Sequence, residues 1–334
     1  MAQLSILCCI PTGLLNVKLR KSVMALRIVF MGTPEFAVPS LRALVEANYH
    51  VVGVITATDK MGGRGKDKLI ESAVKKYAAS QHIPILQPGN LKNADFIQML
   101  ATLKADLQVV VAFRMLPEIV WSMPRLGTLN LHGSLLPKYR GAAPINWAII
   151  DGASETGVTT FLLKHAIDTG DILLQHKMPI HHSDTAGDVH DRMMELGAQT
   201  ILETVEGLEN RTLKSFAQDD TQASKAPKIF HETCRIDFNR PATDVYNFVR
   251  GLSPYPAAWT RMDGKSLKIL KASISTRRGI PGQILTDNKK YLEIACAQYG
   301  ALAIMRLQQE GKKRMNTVDF LNGYQIEATE VETE

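Results

Sequence analysis

The stretch "LRIVFMG" (residues 26–32) is a near-continuous apolar run that closes on a glycine. A strand with water on one side alternates. A run like this one fits a strand buried on both sides, as in a parallel sheet covered by helices. The residues that follow, "PEFAVPSLRALVEAN" (34–48), put Phe36, Leu41, Leu44 and Val45 at helical spacing. "HVVGVITA" (50–57) reads as a second strand, "LIESAVKKYAASQ" (69–81) as a helix and "IPILQP" (83–88) as a short third strand. After the helix "NADFIQMLATLK" (93–104) come a fourth strand, "ADLQVVVAF" (105–113), and a fifth, "GTLNLHGS" (127–134). This alternation predicts an α/β, doubly wound, Rossmann-like sheet, mostly parallel. Such sheets bind ligands beyond the carboxyl ends of their strands. The turn Met31-Gly32-Thr33-Pro34 has one glycine, which does not support a G-x-G-x-x-G dinucleotide site. Thr33-Pro34 fits an ordinary helix entry.

Two further strands, "GVTTFLL" (157–163) and "GDILLQHKMPI" (170–180), are joined by "KHAIDT", and a long amphipathic helix covers 186–209. "QDDTQASKAPKIF" (218–230) is polar and aperiodic. We therefore expect a first unit over 24–217, a linker over 218–231 and a second unit over 232–334. The second unit opens with a helix, "ATDVYNFVRGL", followed by five short strands between turn residues, the pattern of a small OB-like β-barrel. The acidic tail "EATEVETE" is expected to fray. Residues 1–23 read as a leader or an over-extended start. Their apolar run, Leu4 to Leu15, precedes Lys18, Arg20 and Lys21, the reverse of a secretory signal, and Met24 stands just before the first strand.

No apolar run is long enough to span a bilayer, and no membrane association is expected. The four cysteines, Cys8, Cys9, Cys234 and Cys296, have no C-x-x-C spacing and read as free thiols. The net charge of +6 is unevenly spread: from Arg240 to Arg314 there are 14 basic and 5 acidic residues, a net of +9, while Met24 to His231 is near balance. A near-neutral first unit joined to a basic second one suggests chemistry in one and a polyanionic partner on the other. Lys312, Lys313 and Arg314 are the densest basic cluster.

Asn130 and His132 lie two residues apart on the fifth strand, so they share a face at its carboxyl end. The loop after them, "GSLLP", is stiffened by Pro137. It could hold a flat, hydrogen-bonding ligand by main-chain groups, with Leu135 and Leu136 packed on it. Asp168 and Asp171 are both candidates to orient the histidine. An Asn/His/Asp set suits acyl transfer: the amide donates to a carbonyl oxygen as charge develops, the imidazole moves protons, and the carboxylate stabilises the charged ring. With no H-x-x-x-H or cysteine ligand, no metal is expected.

The segment "NLHGSLLPKYRGAAPI" (130–145) resembles the signature of the folate-dependent formyltransferases. "RIVFMGTPEFA" (27–37), "GRGK" (63–66), "ETGVTTFLLKHAIDTGDIL" (155–173) and "LSPYPAAW" (252–259) carry the resemblance from residue 24 to about 320. "RGAAP" and the C-terminal segment point to the branch acting on methionyl-tRNA. The resemblance implies Asn130, His132 and Asp168 as the catalytic set, which decides against Asp171. It implies contacts of Ser134, Leu135, Leu136 and Pro137 with the co-substrate 10-formyltetrahydrofolate. It also implies that Arg64 and Lys66 reach the tRNA acceptor end. The basic excess of the second unit, densest at Lys312, Lys313 and Arg314, then fits an electrostatic grip on the tRNA backbone. Asp67, ahead of Lys68, departs from the family's run of lysines. The expected reaction moves the formyl group to the α-amino group of methionyl initiator tRNA, giving N-formylmethionyl-tRNA for translation initiation. A monomer in the bacterial cytoplasm is expected, an organelle being the alternative. Competing expectations are a formyltransferase acting on glycinamide ribonucleotide or a sugar nucleotide, and a non-catalytic RNA-binding module on the same scaffold.

Overall fold

The computed structural model describes residues 26–62, 68–298 and 300–332. The expected leader at 1–23 and the residues Arg64 and Lys66 lie outside the described residues.

Five strands form the parallel part of the first sheet: β1 (Arg27–Gly32), β2 (His50–Ile55), β3 (Ile85–Leu86), β4 (Leu107–Val111) and β5 (Thr128–His132). Two antiparallel strands, β6 (Glu155–Leu162) and β7 (Ile172–Pro179), extend it. The order β3-β2-β1-β4-β5-β6-β7 reverses direction between β1 and β4, the mark of a doubly wound sheet. Every residue of β4 is buried, as its apolar run requires of a strand with helices on both faces.

Helices α1 (Val38–Glu46), α2 (Ala73–Ser80), α5 (Pro144–Ile150) and α6 (Ala186–Glu209) cover one face. Helices α3 (Ala94–Thr102) and α4 (Glu118–Trp121) cover the other. Helix α6 starts where Thr185 and Asp188 form a reciprocal capping box, which satisfies two amides of its open end. Its Val189, Met193, Ile201 and Val205 then reach the sheet. Helix α2 is shorter than its apolar pattern. Ser72 caps it by accepting from the Lys75 amide, and Lys68–Ile70 instead pair antiparallel with Lys60–Gly62.

The second lobe holds β8 (Ala258–Met262), β9 (Lys265–Ser275), β10 (Ile284–Thr286), β11 (Leu292–Cys296) and β12 (Gly300–Gln309). They form one antiparallel sheet in the order β8-β9-β12-β11-β10, with Met315–Asn316 added to β12. The five expected strands are present, curled as a half-barrel over α7 (Ala242–Leu252), whose Val245, Val249 and Leu252 share a core with Ile269, Ile294 and Leu302. Among the described residues no ladder joins β8 to β10, so the barrel stays open. Cys234 and Cys296 are buried free thiols. Burial pushes the Cys296 thiol up to about 11, which keeps it protonated at neutral pH.

Two expectations change. The acidic tail does not fray through residue 332: Val331 is buried, its amide donates to Gly282 O at 2.9 Å, and Glu332 donates from its amide to Arg261 O at 3.0 Å. The polar stretch after 217 is also not a free linker. Ser224 O accepts from the Arg140 amide at 2.8 Å, and Lys225–Ala226 pair in parallel with Arg140–Gly141. Their backbone groups bond to neighbouring chain, which polarity alone does not reveal. The lobes meet where α7 packs on α5: Asn146 Nδ2 donates to Gly251 O at 2.7 Å, and Ile150 enters the second lobe's core. No helix among the described residues is long and apolar enough to cross a membrane.

Candidate active site

The carboxyl end of β5 carries the amide and the imidazole. Leu129 and Leu131 point into the core, so strand alternation turns Asn130 and His132 to the other face. The Asn130 side chain is half-buried and makes no hydrogen bond among the described residues. His132 is buried, with its ring edge-on to Phe161 at a centroid distance of 6.4 Å.

The histidine ring is oriented through Nδ1. Nδ1 lies 2.9 Å from Ser134 Oγ, and that hydroxyl lies 2.6 Å from Lys138 O. A carbonyl only accepts, so the serine proton goes to Lys138 and the serine oxygen accepts from Nδ1–H. Nε2 then faces two acceptors, Asp168 Oδ2 at 3.4 Å and Gly141 O at 3.3 Å. A proton arriving at the ring is therefore received at Nε2, beside a carboxylate. Asp168 Oδ2 also accepts from the Gly141 amide at 2.9 Å. Asp171 instead pairs with Lys164 at 2.7 Å on the surface, so the structure separates the two candidate aspartates.

The loop after His132 is pinned by a buried hydroxyl. Thr159 Oγ1 donates to Ser134 O at 2.6 Å and accepts from the Leu136 amide at 3.1 Å and from Gln175 Nε2 at 2.9 Å. Gln175 Nε2 also donates to Leu136 O at 2.8 Å. Leu136 is buried with Phe161 and Ile172, so its side chain and both its main-chain groups belong to the scaffold. Ser134 is fully buried and serves the histidine. Leu135 and Pro137 are the partly exposed residues of the four expected folate contacts.

Lys312, Lys313 and Arg314 sit exposed in the turn after β12. Arg314 Nη2 donates to Pro254 O at 3.3 Å. Lys271 and Arg306, both exposed, are partners across β9 and β12. Sequence patterns give no individual role to Gly141, Thr159, Gln175 or Gln218. Gly141 stands inside the quoted signature and could be singled out there; the others are made important by contacts far apart in the chain. Among the described residues no group of three His, Cys, Asp or Glu side chains is placed to hold a metal ion.

A family model described as formyl transferase matches residues 26–205, and one described as formyl transferase, C-terminal domain, matches 228–325. A methionyl-tRNA formyltransferase of Parabacteroides distasonis is 55% identical over 311 residues, covering 90% of this chain and 96% of that protein. One from Bacteroides thetaiotaomicron is 53% identical over 312 residues, with the same coverage. The fold is similar to that of WlaRD, a sugar 3N-formyl transferase, at a TM-score of 0.63 and 21% identity, covering 86% of this chain and 99% of that one. The chain belongs to the formyltransferase family, among the methionyl-tRNA formyltransferases.

Proposed function

We propose that the protein transfers the formyl group of 10-formyltetrahydrofolate to the α-amino group of methionine esterified to initiator tRNA. The observation that carries this reading is the carboxamide of Asn130, left without a hydrogen-bond partner among the described residues, beside a histidine whose partners are all assigned. A polar group without a protein partner is expected to find one in water or a ligand. A formyl oxygen gaining negative charge is the acceptor such a donor suits.

The folate supplies an activated formyl carbon. Asn130 donates to the formyl oxygen as the amine approaches. The methionyl amine must be neutral to attack, and it carries an extra proton once bonded to carbon. His132 Nε2 is the group to receive that proton, and Asp168 stabilises the resulting imidazolium; as the tetrahedral adduct collapses, the bond from the formyl carbon to folate N10 breaks and the imidazolium returns its proton to N10, releasing tetrahydrofolate. Ser134 keeps Nδ1 protonated so that Nε2 faces the reaction. Leu135 and Pro137, on the loop stapled by Thr159, would wall the folate. The same loop fits a ligand held by shape, since its geometry does not depend on the ligand's arrival.

The acceptor is a polyanion, and the second lobe suits one. Like charges opposite each other on a sheet, such as Lys271 and Arg306, are unfavourable alone and are relieved by phosphate. Lys312, Lys313 and Arg314, exposed in the turn after β12, add to the lobe's positive charge. Phosphate contacts of this kind give affinity that weakens with salt. Formyl transfer to methionyl initiator tRNA, free methionine and glycinamide ribonucleotide, compared side by side, tests the reading. Activity on the charged tRNA alone supports it; preference for either small acceptor refutes it.

A further inference from the structure

The catalytic carboxylate is braced from the segment between the lobes. Asp168 has a φ of +55°, in the left-handed region that residues with side chains enter sparingly. Its main-chain carbonyl and that of Gly170 both accept from Nε2 of Gln218, each at 2.8 Å. The same side chain's Oε1 accepts from Arg140 Nε at 3.1 Å and Nη2 at 2.6 Å. Arg140 also pairs with Asp220 at 2.7 Å, and its amide donates to Ser224 O at 2.8 Å. The next residue, Gly141, donates from its amide to the Asp168 carboxylate. These bonds close a ring that runs from the Asp168 turn through Gln218, Arg140 and Gly141 back to Asp168 Oδ2.

We propose that Gln218 is a positioning residue for formyl transfer. It holds the left-handed turn at Asp168 in the conformation that presents Oδ2 to His132 Nε2. Gln218 makes and breaks no bond in the reaction; it acts through Asp168, and the proposal rests on Asp168 serving His132 as described above. Four hydrogen bonds at one amide are more than a solvated linker glutamine needs. They span both segments whose relative placement sets the 3.4 Å between Asp168 and His132. The polar segment after residue 217 is thereby part of the active-site wall.

Gln218→Glu has nearly the same shape and keeps acceptors for Arg140, but it donates to neither carbonyl. Gln218→Met removes the same donors without adding charge. Single-turnover formyl transfer to methionyl initiator tRNA is measured for each, alone and combined with Asp168→Asn, with thermal melts of every variant. Misplacement of a catalytic group by 1 Å costs up to about 100-fold, so each single variant should lose roughly 10- to 100-fold in rate. KM for tRNA should stay within about twofold, since only transition-state geometry is touched. In the Asp168→Asn background neither substitution should lower the rate further. A wild-type rate in both single variants, an equal loss in both backgrounds, or loss of the fold in both would overturn the proposal. Failure of the underlying reading looks different: Asp168→Asn itself would keep turning over.

Discussion

Replacing Gly141 by alanine probes the site at its tightest point. Gly141 has a φ of +130°, and a Cβ there would lie 2.4 Å from Ala226 O and 3.0 Å from Ala226 C. Real Cβ atoms essentially never approach another heavy atom within 3.0 Å, so the chain must open by at least the 0.6 Å difference between 3.0 and 2.4 Å. The obstacle is main chain and cannot rotate away. Ala226 O also accepts from the Ala143 amide at 3.2 Å, and Arg140 N is tied to Ser224 O. The displacement therefore passes to Gly141 itself, whose amide holds Asp168 and whose carbonyl faces His132. A shift approaching 1 Å at such a point costs up to about 100-fold in rate, and the backbone strain adds roughly 1–3 kcal/mol of destabilisation. Gly141→Ala should therefore lose about 10- to 100-fold in kcat and several degrees in Tm, with smaller changes in KM. Gly311→Ala is the control. It has a φ of +73° and nothing within 4 Å of the added carbon, so it should lose stability without losing kcat. Steady-state formyl transfer and thermal melts read both. A wild-type kcat in Gly141→Ala, or an equal kcat loss in Gly311→Ala, would refute the reasoning.

Thr159→Val keeps shape but leaves the buried Leu136 amide without its hydroxyl partner. The expected loss is about 1–3 kcal/mol, read by urea unfolding, together with a raised KM for the folate. The Asp184 carboxyl is held below its ordinary value of 3.8, first by Arg192, whose Nη2 lies 2.5 Å away, and then by the His181 amide. A depressed acid stabilises the fold above its unfolded value and ceases to as pH falls through its folded one. The Tm gap between wild type and Asp184→Asn should thus be widest near neutrality and close below about pH 4. Replacing Lys312, Lys313 and Arg314 together by alanine should weaken tRNA binding. It should also flatten the plot of log affinity against log salt by up to about 0.9 for each phosphate these side chains neutralise, measured by titration at several salt concentrations.

The parallel core is legible because β1 and β4 are near-continuous apolar runs buried on both faces, and only a sheet covered by helices can bury such runs. The candidate site's place is legible from the polar residues Asn130 and His132, which break the apolar pattern where the fifth strand runs out. The two short strands at 60–62 and 68–70 read in the sequence as loop and helix start because Leu69 and Ile70 fit helical spacing. Their pairing joins two separate segments of the chain, which no local period encodes. The stretch after residue 217 reads as a linker from its polarity. Its order comes from Gln218, Ser224 and Ala226 meeting residues 137–141 and 168–170, more than 45 positions away. The acidic tail misleads in the same way, because Val331 among glutamates gives no period while Gly282 and Arg261 supply its partners.

The most direct test of the account is the formyl-transfer rate of Asn130→Ala on methionyl initiator tRNA, measured in a single turnover beside tRNA affinity. Losing one donor to a developing oxyanion costs about 100- to 1,000-fold. The rate should fall by that much while tRNA binds as tightly as before. An Asn130→Ala enzyme that formylates at the wild-type rate would contradict the assignment of the site.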